Sequence, residues 1–485
     1  MPAPPRIVRD TTILGVDIGT HLIKAAEVRT TRGQAQLLNI GIRPTPPEVI
    51  SNGVIIDPES LGTALKALLA AQGIRTRQAV VSVAGQSSLV VRPIEVPKMS
   101  REELADTMKW EVERHIPFAV SEVVMDYQPL VEPELLPEDQ QNMEVLLAVA
   151  QEDMINAYLQ TLQVADLRPL ALDIEALAAA RALIEVAAEK GTSYLETVAL
   201  VNIGATNTDI TIIREGLLAF TRTIPLAGDT LTNAISEGLG RDINEAERLK
   251  REYGTLLLDQ PIAAMPAPAE PAAAPAAPAM QAPPLPDLAD DLDVTQIVPP
   301  PASSEEESPG KPADAPVFDL SSEIEDALPK RRSTRQIFDL SVDEPEPPAG
   351  AEPVQSAAPE APSAPPAPVP DLTFTTGGEN GMGRRVYEAM MPTLSELVGE
   401  IRRSIEYYRT RYPNSNVDRV VLLGGTARLE HLSEFISNEL TIPVMLADPF
   451  ATMSFMPPGY SSRYLKEIAC LFPIAVGLGL REAME

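Results

Sequence analysis

The chain has 485 residues, a formal net charge of −30, one cysteine and three histidines. That balance excludes an intrachain disulfide, argues against a zinc centre, and makes nucleic acid and anionic lipid headgroups poor direct ligands, since like charges repel. Hydrophobic residues make up 44% and aromatics 4%, so a large core is expected without aromatic platforms for stacking single-stranded nucleic acid.

The first ten residues, MPAPPRIVRD, hold no apolar run of signal-peptide length. The chain then enters ILGVDIGTHLIKAAEV, Ile13–Val28. An apolar strand runs into Asp17, turns at Gly19-Thr20, and resumes with Lys24 among its hydrophobics. Two readings fit: a plain hairpin with its lysine on the wet face, or a turn that grips phosphate. A third strand follows the Thr31–Gly33 turn, and a helix is predicted over Pro58–Ala71 from Leu61, Leu65, Leu68 and Leu69 on one face. From Gln86 to Leu167 the pattern changes to a small α/β insert. Its helix opens on Ser100-Arg-Glu-Glu103, a capping box, and repeats Leu104, Met108, Val112 and Ile116 up to Pro117. Strands at Val123–Leu130 and Met143–Ala150 and a helix near Asp153–Leu162 complete it.

The opening meander recurs. ALVNIGATNTDITIIREGLLAFTRTIP, Ala199–Pro225, repeats strand, polar residue, Ile-Gly, turn, strand, turn, strand. The residue seven positions after the strand-ending polar one is charged both times, Asp17 to Lys24 and Asn202 to Asp209. Two similar α/β lobes facing each other are expected. Helices are predicted at Asp229–Leu239, with Asp229 as N-cap, and at Arg384–Arg411, with Met391, Leu394, Val398, Ile401, Ile405 and Tyr408 as its buried stripe. A buried strand, Val417–Leu423, ends in Gly424-Gly425.

Between these blocks lies a segment of different composition. Of the 48 prolines, 26 fall between Pro261 and Pro370, and 259–381 holds 22 acidic against 5 basic side chains, a net −17. Such a segment buries too little apolar surface to offset its ordering entropy, so a disordered linker is expected. Two islands inside it share Phe-Asp-Leu-Ser, starting at Phe318 and Phe338. They read either as chance similarity or as short docking motifs. The best candidate for a membrane span, Ile468–Leu480, is 13 residues long and contains Pro473, against roughly twenty needed. A cytoplasmic protein without direct membrane insertion is expected.

The chemistry expected at the turns is specific. Backbone N–H groups at the tips of Gly19-Thr20 and Gly204-Ala205-Thr206 suit phosphate oxygens. Asp17 would repel phosphate but can hold Mg²⁺ through water. Lys24 supplies a point charge. Glu247 and Lys250 share one helix face, as a surface ion pair or as ligand contacts. Gly424 and Gly425 let the backbone approach a flat ring, and Thr426 is placed to open the next helix.

In this order the motifs resemble the actin-like ATPase superfamily of actin, heat-shock chaperones, sugar kinases and FtsA. VDIGT resembles its first phosphate loop, VNIGATNTDI its second, DIEALAAARAL (Asp173–Leu183) its connecting helix, LLGGTARL its adenosine loop, and Glu247/Lys250 its ribose-contacting pair. VPKMSREELADTMKWEVERHIPF, VVMDYQPL, FTRTIPLAGDTLTNAI, EAERLKREYG, IRRSIEYYRTRYP and PIAVGLGLRE together resemble the PilM family of type IV pilus assembly. The resemblance implies an α/β fold of two duplicated ribonuclease H-like lobes. The first lobe would occupy 1–85 and the insert 86–167. The connecting helix and second lobe would occupy 168–258, the linker 259–381, and the remainder of the second lobe with a return to the first 382–485. It implies ATP and Mg²⁺ as cofactors, and a scaffold at the inner face of the inner membrane. The implied partners are the N-terminal peptide of a PilN-like membrane protein and, directly or indirectly, pilus motor ATPases; a homo-oligomer is compatible with it. Asn202 departs from the aspartate usual in the second phosphate loop, which implies at most slow hydrolysis. Catalytic candidates are therefore limited to Asp17, Asn202 and Asp209. The alternatives are an FtsA-like membrane-tethered filament protein and a sugar-type kinase with Asp209 as base.

Overall fold

The computed structural model describes residues 11–31, 34–85, 88–185, 196–256, 381–454, 457 and 459–481. Residues 259–380 of the expected linker, with both Phe-Asp-Leu-Ser islands, lie outside the described residues; its last residue, Gly381, is already helical.

The chain opens as an antiparallel meander, β1 (Thr11–Ile18), β2 (Leu22–Thr31) and β3 (Gln34–Pro44). Helix α1 (Pro58–Ala71) begins where the Asp57 carboxylate accepts the Ser60 amide, with proline at its first position, and buries the four predicted leucines. Strand β4 (Gln78–Val83) pairs parallel with β1.

The insert follows as β5 (Leu89–Pro97), α2 (Arg101–Glu111), β6 (Val123–Pro129) and β7 (Asn142–Gln151), in sheet order β5-β7-β6. Both halves of the Ser100–Glu103 capping box form. Leu104, Met108 and Val112 pack on Val145, Leu147 and Val149 as a separate core. Helix α2 stops at Glu111 and tightens into a 3₁₀ turn, Val112–Arg114, before the expected stop at Pro117.

Helix α3 (Glu152–Val164), which the sequence reading placed in the insert, packs instead on the first lobe. Its Met154, Ile155, Tyr158 and Leu162 join the core of Leu61 and Leu65. A methyl group on Gly62 of α1 would lie 2.6 Å from the Thr161 carbonyl oxygen, so the two helices touch through a bare backbone. The insert thus ends with β7, not at Leu167. Strand β8 (Arg168–Ile174) completes the first sheet, and α4 (Glu175–Ala180) runs into a π-helical turn, Arg181–Glu185.

The second meander is β9 (Thr197–Ile203), β10 (Thr208–Arg214) and β11 (Leu217–Ile224). Helix α5 (Gly228–Leu239) starts one residue before the predicted cap, so Asp229 sits inside the first turn. The Ala227 amide is satisfied by the Thr230 hydroxyl. Then come α6 (Ile243–Tyr253), α7 (Gly381–Arg411), β12 (Arg419–Leu423), α8 (Leu432–Leu440), β13 (Val444–Leu446), α9 (Ser462–Ile468) and α10 (Pro473–Gly479). The stripe of α7 is as predicted except that Met390 takes the core position and Met391 is only partly covered.

The first sheet runs β3-β2-β1-β4-β8 and the second β11-β10-β9-β12-β13. Each is a meander whose first strand pairs parallel with a later strand, which pairs parallel with another. The duplication expected from sequence is therefore one topology used twice. Helix α10 brings the chain back to the first lobe. A methyl on Gly15 of β1 would lie 1.9 Å from the Ala475 carbonyl oxygen, and one on Gly477 1.8 Å from that of Ala178. These glycines are what allow α10 to lie directly on the strand and on α4. A buried ionic group fastens the seam: Arg181 is 3.0 Å and Arg481 3.8 Å from Asp173, and Arg181 also donates to the Gly477 carbonyl.

Candidate functional site

The two meanders present their first turns to a common cleft of about 1050 Å³ between the lobes. The seven-residue spacing seen in sequence places each pair directly across a hairpin: Asp17 is the register partner of Lys24, and Asn202 of Asp209. The turns share a local geometry. The Gly19 amide donates to the Leu22 carbonyl and the Gly204 amide to that of Asn207, each at 3.0 Å. The glycine N–H groups are spent closing the turns, which leaves later amides, beginning with those of Thr20 and Ala205, as the donors an anion would meet.

Asp17, Gly19, Thr20, Lys24, Asn202, Gly204, Ala205, Thr206, Asp209, Glu247, Gly424, Gly425 and Thr426 all line the cleft. Lys24 Nζ lies 2.6 Å from Asp17 Oδ2, both nearly buried. The Thr223 hydroxyl donates to Asp209 at 2.6 Å, and burial pushes the Asp209 carboxyl up despite that bond. Thr426 opens a 3₁₀ turn, Thr426–Arg428, rather than the helix itself, and its hydroxyl donates to the Gly204 carbonyl at 2.8 Å. Gly424 has φ +92°, and a methyl there would strike the Ile203 carbonyl oxygen at 2.5 Å and Asn202 Oδ1 at 2.7 Å. Gly425 faces open space, where a flat group can approach.

Lys250 does not line the cleft. Its buried ammonium is 2.6 Å from Glu247 Oε2 and donates to Thr232 Oγ1 at 2.7 Å and to the Gly228 carbonyl at 3.0 Å. The expected ligand contact is thus a strut behind Glu247. Burial works to raise the Glu247 carboxyl, but Lys250, Thr232 and Arg251 together hold it below its ordinary value.

Sequence reasoning missed two cleft residues. Glu175, first in α4, accepts a 3.4 Å bond from Asn202 Nδ2. Burial, then the charges of Asp17 and Asp209, push its carboxyl well above the usual range, with Lys24 opposing. Its signal was present in Asp173-Ile-Glu175, a strand that ends on a carboxylate as Val-Asp17-Ile does. His21, at the tip of the first turn, places Nε2 3.4 Å from Asp229 Oδ2 of the other lobe.

Two duplicated sheets closing on a cleft lined by paired hairpin turns define an actin-like protein. A family model described as type IV pilus assembly protein PilM matches residues 15–256, and one for cell division protein FtsA matches 199–464. The chain belongs to the PilM family. The cell division protein FtsA of Bacillus subtilis (strain 168) is 25% identical over 268 residues, 51% of this chain and 59% of the relative. That of Pseudomonas aeruginosa is 28% identical over 271 residues, 50% and 61%. The chain thus spans about six tenths of the length of these curated relatives. A solved PilM–PilN type IV pilus biogenesis complex superimposes with a TM-score of 0.65 at 22% identity, over 98% of this chain and 99% of that one. Among the described residues no helix is long and apolar enough to cross a membrane. Nor, among them, are three or more His, Cys, Asp or Glu side chains grouped to hold a metal ion.

Proposed function

We propose that the chain is an ATP-binding, actin-like scaffold of type IV pilus assembly, peripheral at the inner face of the inner membrane through its partners. The observation that carries the nucleotide reading is the convergence of both hairpin turns, Glu247 braced by Lys250, and the Gly424–Thr426 turn on one cleft. Lys24 would meet phosphate, Glu247 the ribose, and the open face of Gly425 the base. Asp17 is the residue proposed to hold Mg²⁺, through water rather than in a closed cage, because among the described residues no three or more His, Cys, Asp or Glu side chains are grouped to hold a metal ion. The metal would neutralise phosphate charge. Asn202 keeps hydrogen-bonding capacity but adds no charge to orient a water, so hydrolysis well below a typical ~10 s⁻¹ is expected.

The partner is proposed to be the N-terminal segment of a PilN-like inner-membrane protein, docking at the insert and its junction with the first lobe. Strand β6 is an edge of the insert sheet, which suits an extended peptide. The resemblance to a solved PilM–PilN complex supports this choice; coupling to the pilus motor rests on the family resemblance. Calorimetry with ATP tests the cleft. Lys24→Ala removes a charge-assisted contact worth about 1.5–3 kcal/mol and should weaken binding roughly ten- to a hundredfold. Unchanged affinity sinks the assignment. Crosslinking tests the partner: adducts confined to the second lobe contradict the docking site, and recovery of division proteins instead of pilus proteins favours the FtsA-like alternative.

A further inference from the structure

We infer that His21 is a titratable contact for the phosphate chain of the bound nucleotide, held by Asp229 until that chain arrives. The inference rests on the nucleotide reading above. His21 lines the cleft beside Gly19 and Thr20. Its partner Asp229 belongs to the opposite lobe, in the first turn of α5, and the Asp229 amide donates to the Ala205 carbonyl at 2.7 Å. The imidazole and carboxylate, 3.4 Å apart, therefore span from one turn to the other, where a phosphate chain gripped by both turns must pass.

The pair is built for exchange. Its side chains are 50% and 39% exposed, so replacing one anionic acceptor by another requires no buried charge to be left alone. The backbone of the turn is held meanwhile, since the His21 carbonyl accepts the Thr45 amide at 3.0 Å and the Thr45 hydroxyl donates to the Gly19 carbonyl. The charges around the ring are mixed. Asp229 raises the imidazole above its ordinary value through its hydrogen bond, and Glu247 assists from α6, while burial and Lys250 oppose. On its own hairpin Asp17 and Lys24 are paired to each other, and Glu48 lines the same cleft. With its partner exchanged for phosphate, the cation is retained; at higher pH the ring is neutral and the contact loses its charge.

The test uses the full chain, ADP and ATP as probes, and adenosine as the control without phosphate. The parent's affinity for both nucleotides, relative to that of His21→Ser, should fall roughly three- to tenfold between pH 6 and pH 8.5, while adenosine affinity does not. The three histidines are His21, His115 and His431, and neither of the other two lines the cleft. Ring resonances of the unmutated chain therefore give an independent readout, in which His21 alone titrates at higher pH with nucleotide bound. A nucleotide affinity whose pH dependence matches that of His21→Ser, with an unmoved His21 titration, overturns this inference and leaves nucleotide binding standing. No binding of ADP or ATP at any pH overturns both.

Discussion

Glu175 concentrates the electrostatics of the cleft. It faces Asp17 and Asp209, with Lys24 as the offsetting charge, and burial with those two carboxylates holds its carboxyl well above the ordinary glutamate value. Below that value the folded and unfolded chains both hold the proton, and stability is undiminished. As pH rises the unfolded chain releases the proton first, so stability falls until the folded carboxyl ionises. Glu175→Gln keeps an acceptor for Asn202 and removes the ionisation. It should match the parent near pH 4.5 and melt higher at pH 8, by about 2–4 °C for each kcal/mol recovered. A variant that melts no higher than the parent at pH 8 contradicts the assignment. Sequence reasoning reached Asp17/Lys24 and Asn202/Asp209 because a tight hairpin turns a spacing into a contact. It did not reach Glu175, because the environment that raises it is assembled from three segments distant in sequence. Lys250 was visible as one of a pair, but which of the two faced solvent depended on where α5 lies.

Elements whose signal is local were legible: the capped α1, the capping box of α2 and the period of α7. What an amphipathic face covers is not a local property. The stripe of α3 announces a buried side but not that α1 is its partner, and so the insert was drawn too long. Helix α10, seven residues with two glycines, read as a failed membrane span. Its role is legible only from the backbone contacts that its glycines permit. Gly477→Ala would place a methyl 1.8 Å from the Ala178 carbonyl. The helix must lift, and the chain should lose about 1–3 kcal/mol or more, read as a lower denaturation midpoint. Gly399→Ala, where a methyl meets open space on α7, should be neutral or stabilising. Equal losses at both sites contradict the seating of α10 proposed here.

For the whole molecule, the points where the described chain stops and resumes are close together. A methyl on Gly383 would lie 4.0 Å from the Tyr253 carbonyl oxygen, and the Leu256 amide donates to the Glu430 carbonyl. A loop joining neighbouring points gains only about 0.6 kcal/mol of closure cost per doubling of length. Replacing 257–380 by a short Gly/Ser connection should therefore leave the melting temperature and ATP affinity nearly unchanged. A large loss of stability would make the segment part of the fold. The exchange also isolates the Phe318 and Phe338 motifs: pilus assembly lost at normal stability assigns them recruitment, and assembly retained leaves the segment a spacer. The insert is fastened to the second lobe as well, where Glu144 accepts from the Tyr412 hydroxyl and the Arg411 guanidinium. These bonds tie the insert to the lobe that carries Asn202 and Asp209.

The seat of α10 on Gly15 also sets a clock on synthesis. About 460 residues separate Gly15 from Ala475, and at ~5–20 residues per second the ribosome takes roughly 20–90 s to cover them. Throughout that interval the apolar face of β1 that Ala475 and Leu478 will cover is complete but bare. The first lobe is thus complete only once Pro473–Gly479 has been made, although the strand that helix seats on is made about 460 residues before.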